Sequence, residues 1–211
     1  MKNEKTYYLL ILDKSGSMHD CQEETISGFN AQLKMIKELE EKFPEQSFRI
    51  SLTTFNQNVV HQIREEETYE TKELDKRTYQ PAGNTALLDA IGESLVRLNA
   101  KISHEIEKGE ASVVVVIMTD GHENCSKLFT SEAIYKLIGA LEKTGCWTFS
   151  YLGATPDALE TASKLNIQKD NAAQFNKKNM IKTLEELSHN LKEYAGKKES
   201  GWVSKSFLKR K

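Results

Sequence analysis

Cysteine and proline are scarce in this chain, at three residues each among 211, and tryptophan occurs only twice. Cys21, Cys125 and Cys146 are odd in number and widely spaced, which argues against a disulfide framework and suits free thiols in a reducing cytosol. So few prolines argue against a low-complexity or fibrous chain. With 38% hydrophobic and 28% charged residues, the composition is globular and helix-rich. Neither sign of charge dominates, since 29 Lys and Arg face 31 Asp and Glu. No global field therefore recruits nucleic acid or an anionic membrane, and binding must come from a local site. Long apolar runs are missing as well. The run near the start, Tyr7 to Leu12, is too brief for a signal-peptide core with its cleavage site or for a membrane span. The expected setting is cytoplasmic.

Short apolar runs alternate with longer helical patterns, the rhythm of βαβ units wound into a parallel sheet with helices on both faces. The fold class expected is α/β, a doubly wound and mostly parallel sheet with one antiparallel edge strand. Tyr7–Leu12 and Val113–Met118 are apolar on both faces, as the inner strands of such a sheet require. Phe48–Phe55 alternates, and Val59–Arg64 does so more weakly after Asn56-Gln57-Asn58, so the pair reads as a hairpin ending at a sheet edge. Trp147–Leu152 supplies a further inner strand, and a short last strand is expected around Ile167. Helical spacing links Ile26 to Leu39, Leu88 to Ile102 and Ile134 to Leu141, with further helices at Pro156–Leu165 and 180–191. Residues 65–82 carry Glu65-Glu66-Glu67 and scattered cations, and read as an irregular, solvated connection. One domain over residues 1–194 is expected, followed by a frayed basic tail, 195–211, with six basic residues against one acidic.

Asp13-Lys14-Ser15-Gly16-Ser17 directly follows the first inner strand, where open α/β sheets bind ligands. Thr119-Asp120-Gly121 directly follows the second, so Asp13 and Asp120 converge if these strands are parallel neighbours. Gly83-Asn84-Thr85 precedes the helix that starts at Ala86 and brings a third hydroxyl. Two carboxylates and three hydroxyls are hard oxygen ligands, suited to Mg²⁺ or Mn²⁺ and poorly to Zn²⁺ or Cu⁺. Most of the five ligands are neutral, so the ion stays electrophilic, and an open position calls for a carboxylate from a partner.

The ordered set Asp13, Ser15, Ser17, Thr85 and Asp120 resembles the von Willebrand factor A family and its metal-ion-dependent adhesion site. The resemblance covers roughly residues 6 to 194 and is greatest to bacterial or phage stand-alone members. It implies that Ser15, Ser17 and Thr85 contact the metal while Asp13 and Asp120 act largely through water. The expected function is a divalent-metal-dependent protein-binding module, not an enzyme, that captures an Asp or Glu of a protein partner. Such a module can grip statically or through a shift of the last helix, 180–191. The competing reading is a Mg²⁺-dependent hydrolase or phosphotransferase using Asp13. Those enzymes generally carry a second Asp two residues after the nucleophile, and here that position is Ser15. Neither a nucleophile elbow nor a phosphate-cradling glycine loop is present.

Smaller features near the site are read mostly as structural. His19, Cys21, His122 and Cys125 lack zinc-motif spacing. Asp89 is expected to cap or pair near Thr85, while His122 and Glu123 are candidates for the rim that a partner touches. Lys14 is the one cation beside the site, and strand alternation turns it away from Asp13.

Overall fold

The computed structural model of the protein describes residues 4–199 and 207–208. Six strands form one sheet in the order β3-β2-β1-β4-β5-β6. They are β1 (Glu4–Asp13), β2 (Gln46–Phe55), β3 (Val59–Glu67), β4 (Ala111–Thr119), β5 (Trp147–Gly153) and β6 (Ala172–Gln174). Every neighbouring pair is parallel except β2 with β3, an antiparallel hairpin that ends the sheet. The doubly wound α/β architecture expected from the sequence is therefore present.

β4 is buried along its whole length, which is why Val113–Met118 shows no alternation: both of its faces are covered. On one face, Tyr8, Leu10 and Leu12 of β1 pack with helices α1 (Gln22–Lys42) and α5 (Met180–Glu199). On the other, Tyr7, Leu9 and Ile11 pack with α2 (Leu87–Glu107), α3 (Ser131–Lys143) and α4 (Ala158–Lys164). The period of two along β1 thus decides which core each side chain joins. Gly28 allows α1 to lie close to α5, since a Cβ there would stand 2.2 Å from Leu184 Cδ1. Among the described residues, no helix is long and apolar enough to cross a membrane.

Four sequence expectations need correction. The last strand is β6, paired at Tyr151 with Ala172, and not a strand around Ile167. Ile167 is buried beyond a turn at Asn166, whose φ is +66°, so its hydrophobicity reports core packing rather than a strand. The last helix runs to Glu199, past the expected end at Leu191.

Among the described residues of the segment expected as a frayed tail, 195–199 continue α5. Ala195 and Lys198 are buried, Phe207 and Leu208 are buried in the core beside α5, and Phe207 N–H donates to Asn171 Oδ1 at 2.8 Å. Trp202 lies outside the described residues. Residues 65–82 are irregular beyond Glu67, yet Leu74 and Tyr79 are buried. The Glu65 carboxylate is buried between Arg97 at 2.7 Å and Lys101 at 2.9 Å. Reading that charge run as solvated overlooked cations from α2, which lie distant in sequence.

Candidate metal centre

Leu12 pairs with Met118 in parallel register, so the next residues, Asp13 and Thr119, come level at the carboxyl edge of the sheet. Their side chains meet there: Thr119 Oγ1 donates to Asp13 Oδ2 at 2.5 Å, and Ser15 N–H donates to Asp13 Oδ1 at 2.6 Å. The Asp13 main chain is fixed as well, its carbonyl accepting from Tyr79 Oη at 2.6 Å. The loop then enters a 3-10 turn, Gly16–Cys21. Ser15 Oγ stands 3.1 Å from Ser17 Oγ, and Ser17 Oγ donates to Asp120 Oδ1 at 2.6 Å.

Thr85 arrives on a separate loop, tied to the first by Gly16 N–H donating to Gly83 O at 3.0 Å. Gly83 adopts a φ of +79°, a conformation that glycine takes without penalty. Asn124 brackets Thr85, accepting from its N–H at 2.9 Å and donating its own N–H to the Thr85 carbonyl at 3.1 Å.

Gly121 shows how closely these loops converge. A Cβ built on it would lie 3.1 Å from Thr85 Oγ1, 3.8 Å from Ser17 Oγ and 3.9 Å from Asp13 Oδ2. Oxygens of two loops thus lie around a point on the third, and the glycine leaves that space unfilled.

Charge is concentrated here. Burial is the main reason that the Asp13 carboxyl is raised to about 6, and Asp120 adds to the shift; hydrogen bonds from Thr119 and Ser15 oppose it. The Asp120 side chain has no exposed surface, and its Oδ2 lacks an aligned hydrogen-bond donor. The Lys177 ammonium stands 3.0 Å from that oxygen as an ion pair and donates to Ser17 O at 2.9 Å. Burial depresses the Lys177 amine, but the bond to Asp120 and the surrounding carboxylates outweigh it and hold it above its ordinary value. A carboxyl raised by burial and an oxygen without an aligned donor leave negative charge for a cation to satisfy. The donor set and the space at Gly121 fit a hard divalent ion.

The five predicted site residues thus gather at one sheet edge. Other expectations shift. Asp89 accepts from the N–H groups of Lys127, Leu128 and Phe129 at 2.7, 2.8 and 2.9 Å, so it holds the loop before α3 rather than capping at Thr85. Glu123 accepts from Leu88 N–H at 2.9 Å and from Cys125 and Ser126 N–H at 2.9 and 2.7 Å, so it also braces the loop after β4 against α2. His122 lies exposed, with Nδ1 3.6 Å from Asp157. Cys21 turns into the core and donates to Met18 O at 3.5 Å. Lys14 is fixed through its main chain, donating to Phe55 O and accepting from Ala82 N–H, and the cation against the Asp120 carboxylate is Lys177.

Sequence reasoning missed Thr119, Asn124, Tyr79 and Lys177. Thr119 and Asn124 flank Asp120 and were open to notice. Nothing in spacing marks Lys177, which reaches the site from the loop after β6.

A doubly wound sheet with hard oxygens at the carboxyl edge of adjacent parallel strands defines an α/β domain whose candidate site lies where such sheets hold ligands. The chain belongs to the von Willebrand factor type A domain family, whose profile matches residues 9–190. Domains of this family are typically metal-dependent adhesion or protein-interaction modules. No curated protein matches the chain.

Among solved structures, it is similar to the von Willebrand factor domain of the type V pili tip protein Mfa5 from Porphyromonas gingivalis. Identity there is 9%, with 89% of this chain and 95% of that one covered and a TM-score of 0.63. Manganese-loaded TRAP protein from Plasmodium vivax is 17% identical over 87% of this chain and 73% of that one, with a TM-score of 0.54. Proximal thread matrix protein 1 from the mussel byssus is 14% identical over 90% of this chain, with a TM-score of 0.55; only 46% of that chain is covered. At these identities the likeness is one of fold.

Proposed function

We propose that the protein is a divalent-metal-dependent binding module, loaded with Mg²⁺ or Mn²⁺, that captures an Asp or Glu side chain of a protein partner. The observation that carries the reading is the common point ringed by Thr85 Oγ1, Ser17 Oγ and Asp13 Oδ2. Ser15, Ser17 and Thr85 would hold the ion directly, with Asp13 and Asp120 behind them. The bound ion would supply an electrophilic position for an external carboxylate. Asp13 orders the first loop through Ser15, and Asn124 fixes Thr85 through its backbone.

Two observations favour binding over phosphoryl or acyl chemistry. Both Asp13 carboxylate oxygens already accept hydrogen bonds, from Ser15 and Thr119, so neither is presented as a nucleophile. The residue two positions later is Ser15 rather than a second carboxylate. Free Cys21, Cys125 and Cys146 support a cytoplasmic setting.

The test is affinity capture from host lysate in Mg²⁺ and again in chelator, with mass spectrometry of the difference, beside calorimetry with Mn²⁺. We expect a metal-dependent set of captured proteins that disappears with Asp120→Ala. Capture indifferent to chelator, or no heat at millimolar metal, counts against the reading. Phosphoester turnover abolished by Asp13→Asn would favour the enzyme alternative.

A further inference from the structure

One cation already touches the expected metal ligands. Lys177 Nζ lies 3.0 Å from Asp120 Oδ2 and 2.9 Å from Ser17 O, with its side chain 31% exposed. Lys177 opens the short 3-10 turn, Lys177–Asn179, that leads from β6 into α5.

We propose that Lys177 is an internal competitor for the metal: its ammonium neutralises Asp120 in the ion-free site and must swing away for a divalent cation to settle there. The proposal rests on the metal-binding reading of the same site.

Three features favour it. First, the Asp120 side chain is fully shielded from water, and a shielded carboxylate needs a compensating charge. The chain provides one in a form that can leave. Second, a monovalent ammonium and a divalent ion repel strongly at contact distance where water is scarce, so both cannot stay close to Asp120. Third, the ammonium has somewhere to go. Asp20 Oδ2 is 4.0 Å from Nζ and its side chain is 82% exposed. Beside it opens a cleft of about 880 Å³ lined by Asp20, Glu24, Phe175, Lys177 and Lys178.

A lysine suits this task better than an arginine, because its compact, strongly hydrated head on a flexible stem exchanges partners without the geometric demands of a planar fork. Displacement also links the two places. An acidic partner group entering the cleft and holding the released ammonium would tighten metal binding, and metal would tighten that contact to the same degree.

The experiment has two arms. In the first, Mn²⁺ alone is titrated calorimetrically into the full chain, Lys177→Gln and Lys178→Gln. Lys177→Gln should bind about tenfold tighter than the unaltered chain, while Lys178→Gln, on the same cleft without a bond to Asp120, should change less than about twofold. In the second, lysines of the unaltered chain are acylated in Mn²⁺ and in chelator and read by mass spectrometry. Saturating Mn²⁺ should raise Lys177 modification at least about threefold, because the amine then leaves its buried partner.

Equal affinity of Lys177→Gln and the unaltered chain would overturn the competitor role and leave the metal reading intact. So would Lys177 reactivity indifferent to saturating metal. Absence of Mn²⁺ binding by every form would overturn both.

Discussion

The two ends of strands β1 and β4 solve the same problem in opposite ways. At the amino ends, the Lys198 ammonium from α5 is buried and donates to Lys5 O, Thr6 Oγ1 and Ser112 Oγ, each at 2.9 Å. Nearby, Glu105 accepts from Lys5 at 2.8 Å and from Tyr7 at 2.9 Å. Each of these cations is held there by side chains and carbonyls fixed in the sheet and in α2. At the carboxyl ends, burial pushes the Asp13 carboxyl up to about 6, and Asp120 Oδ2 faces the ammonium of a loop lysine, Lys177. The amino-end network fastens α5 to the sheet; the carboxyl-end one, whose compensating cation sits on a part-exposed loop side chain, is suited to exchange it for an ion from outside. Buried charge alone does not mark a candidate site, whereas buried charge whose partner is a part-exposed loop side chain does.

The comparison can be broken most sharply at Asp120. Asp120→Ala should weaken Mn²⁺ binding roughly 100-fold, while unfolding in chelator shifts by less than about 1 kcal/mol, because Lys177 can turn to solvent. Calorimetry and urea denaturation measure the two. A large loss of stability with little loss of metal affinity would make the carboxyl end a structural network like its counterpart.

Lys198→Met should do the reverse. Removing the ammonium strands three acceptors, two of them buried, and costs about 2 kcal/mol, with Mn²⁺ affinity unchanged. Gly121→Ala comes next: a methyl group 3.1 Å from Thr85 Oγ1 occupies the space among the three loops. It should weaken Mn²⁺ roughly tenfold with every ligand still present.

The smallest effect is that of pH. Asp13 has its folded value raised above the ordinary 3.8, so its contribution to stability is fully present below the ordinary value and lost as pH rises through about 6. In chelator, lowering the pH from 7 to 5 should stabilise the unaltered chain by about 1 kcal/mol relative to Asp13→Asn, which keeps the same shape without the charge. Metal affinity should move the opposite way, rising with pH through the same range as the proton leaves. Parallel pH profiles of the two proteins would show that Asp13 is as well compensated as Lys198.

Much of the carboxyl-end site was legible beforehand because its residues follow strands whose positions hydrophobicity reveals. Tyr7–Leu12 and Val113–Met118 announce themselves as inner strands, and Asp13 and Asp120 are placed by adjacency alone. The amino-end network was not legible. Gly196 and the basic residues after Tyr194 resemble the end of a helix, and only the packed face of α5 reveals that Tyr194, Ala195 and Lys198 continue inward. The small last strand escaped for a related reason, since Ala172 and Ala173 carry little strand preference while the apolar Ile167 stands nearby.

Local sequence therefore determined the strand order's inner members, the antiparallel edge and the five oxygen-bearing residues, because each depends on short-range pattern or on position just after a strand. Tertiary structure alone decided that Lys177 meets Asp120, that Asn124 holds Thr85 and that Lys198 fastens α5 beneath the sheet. Those contacts join residues far apart in the chain, and their energies arise from burial and mutual distance, which no local pattern encodes.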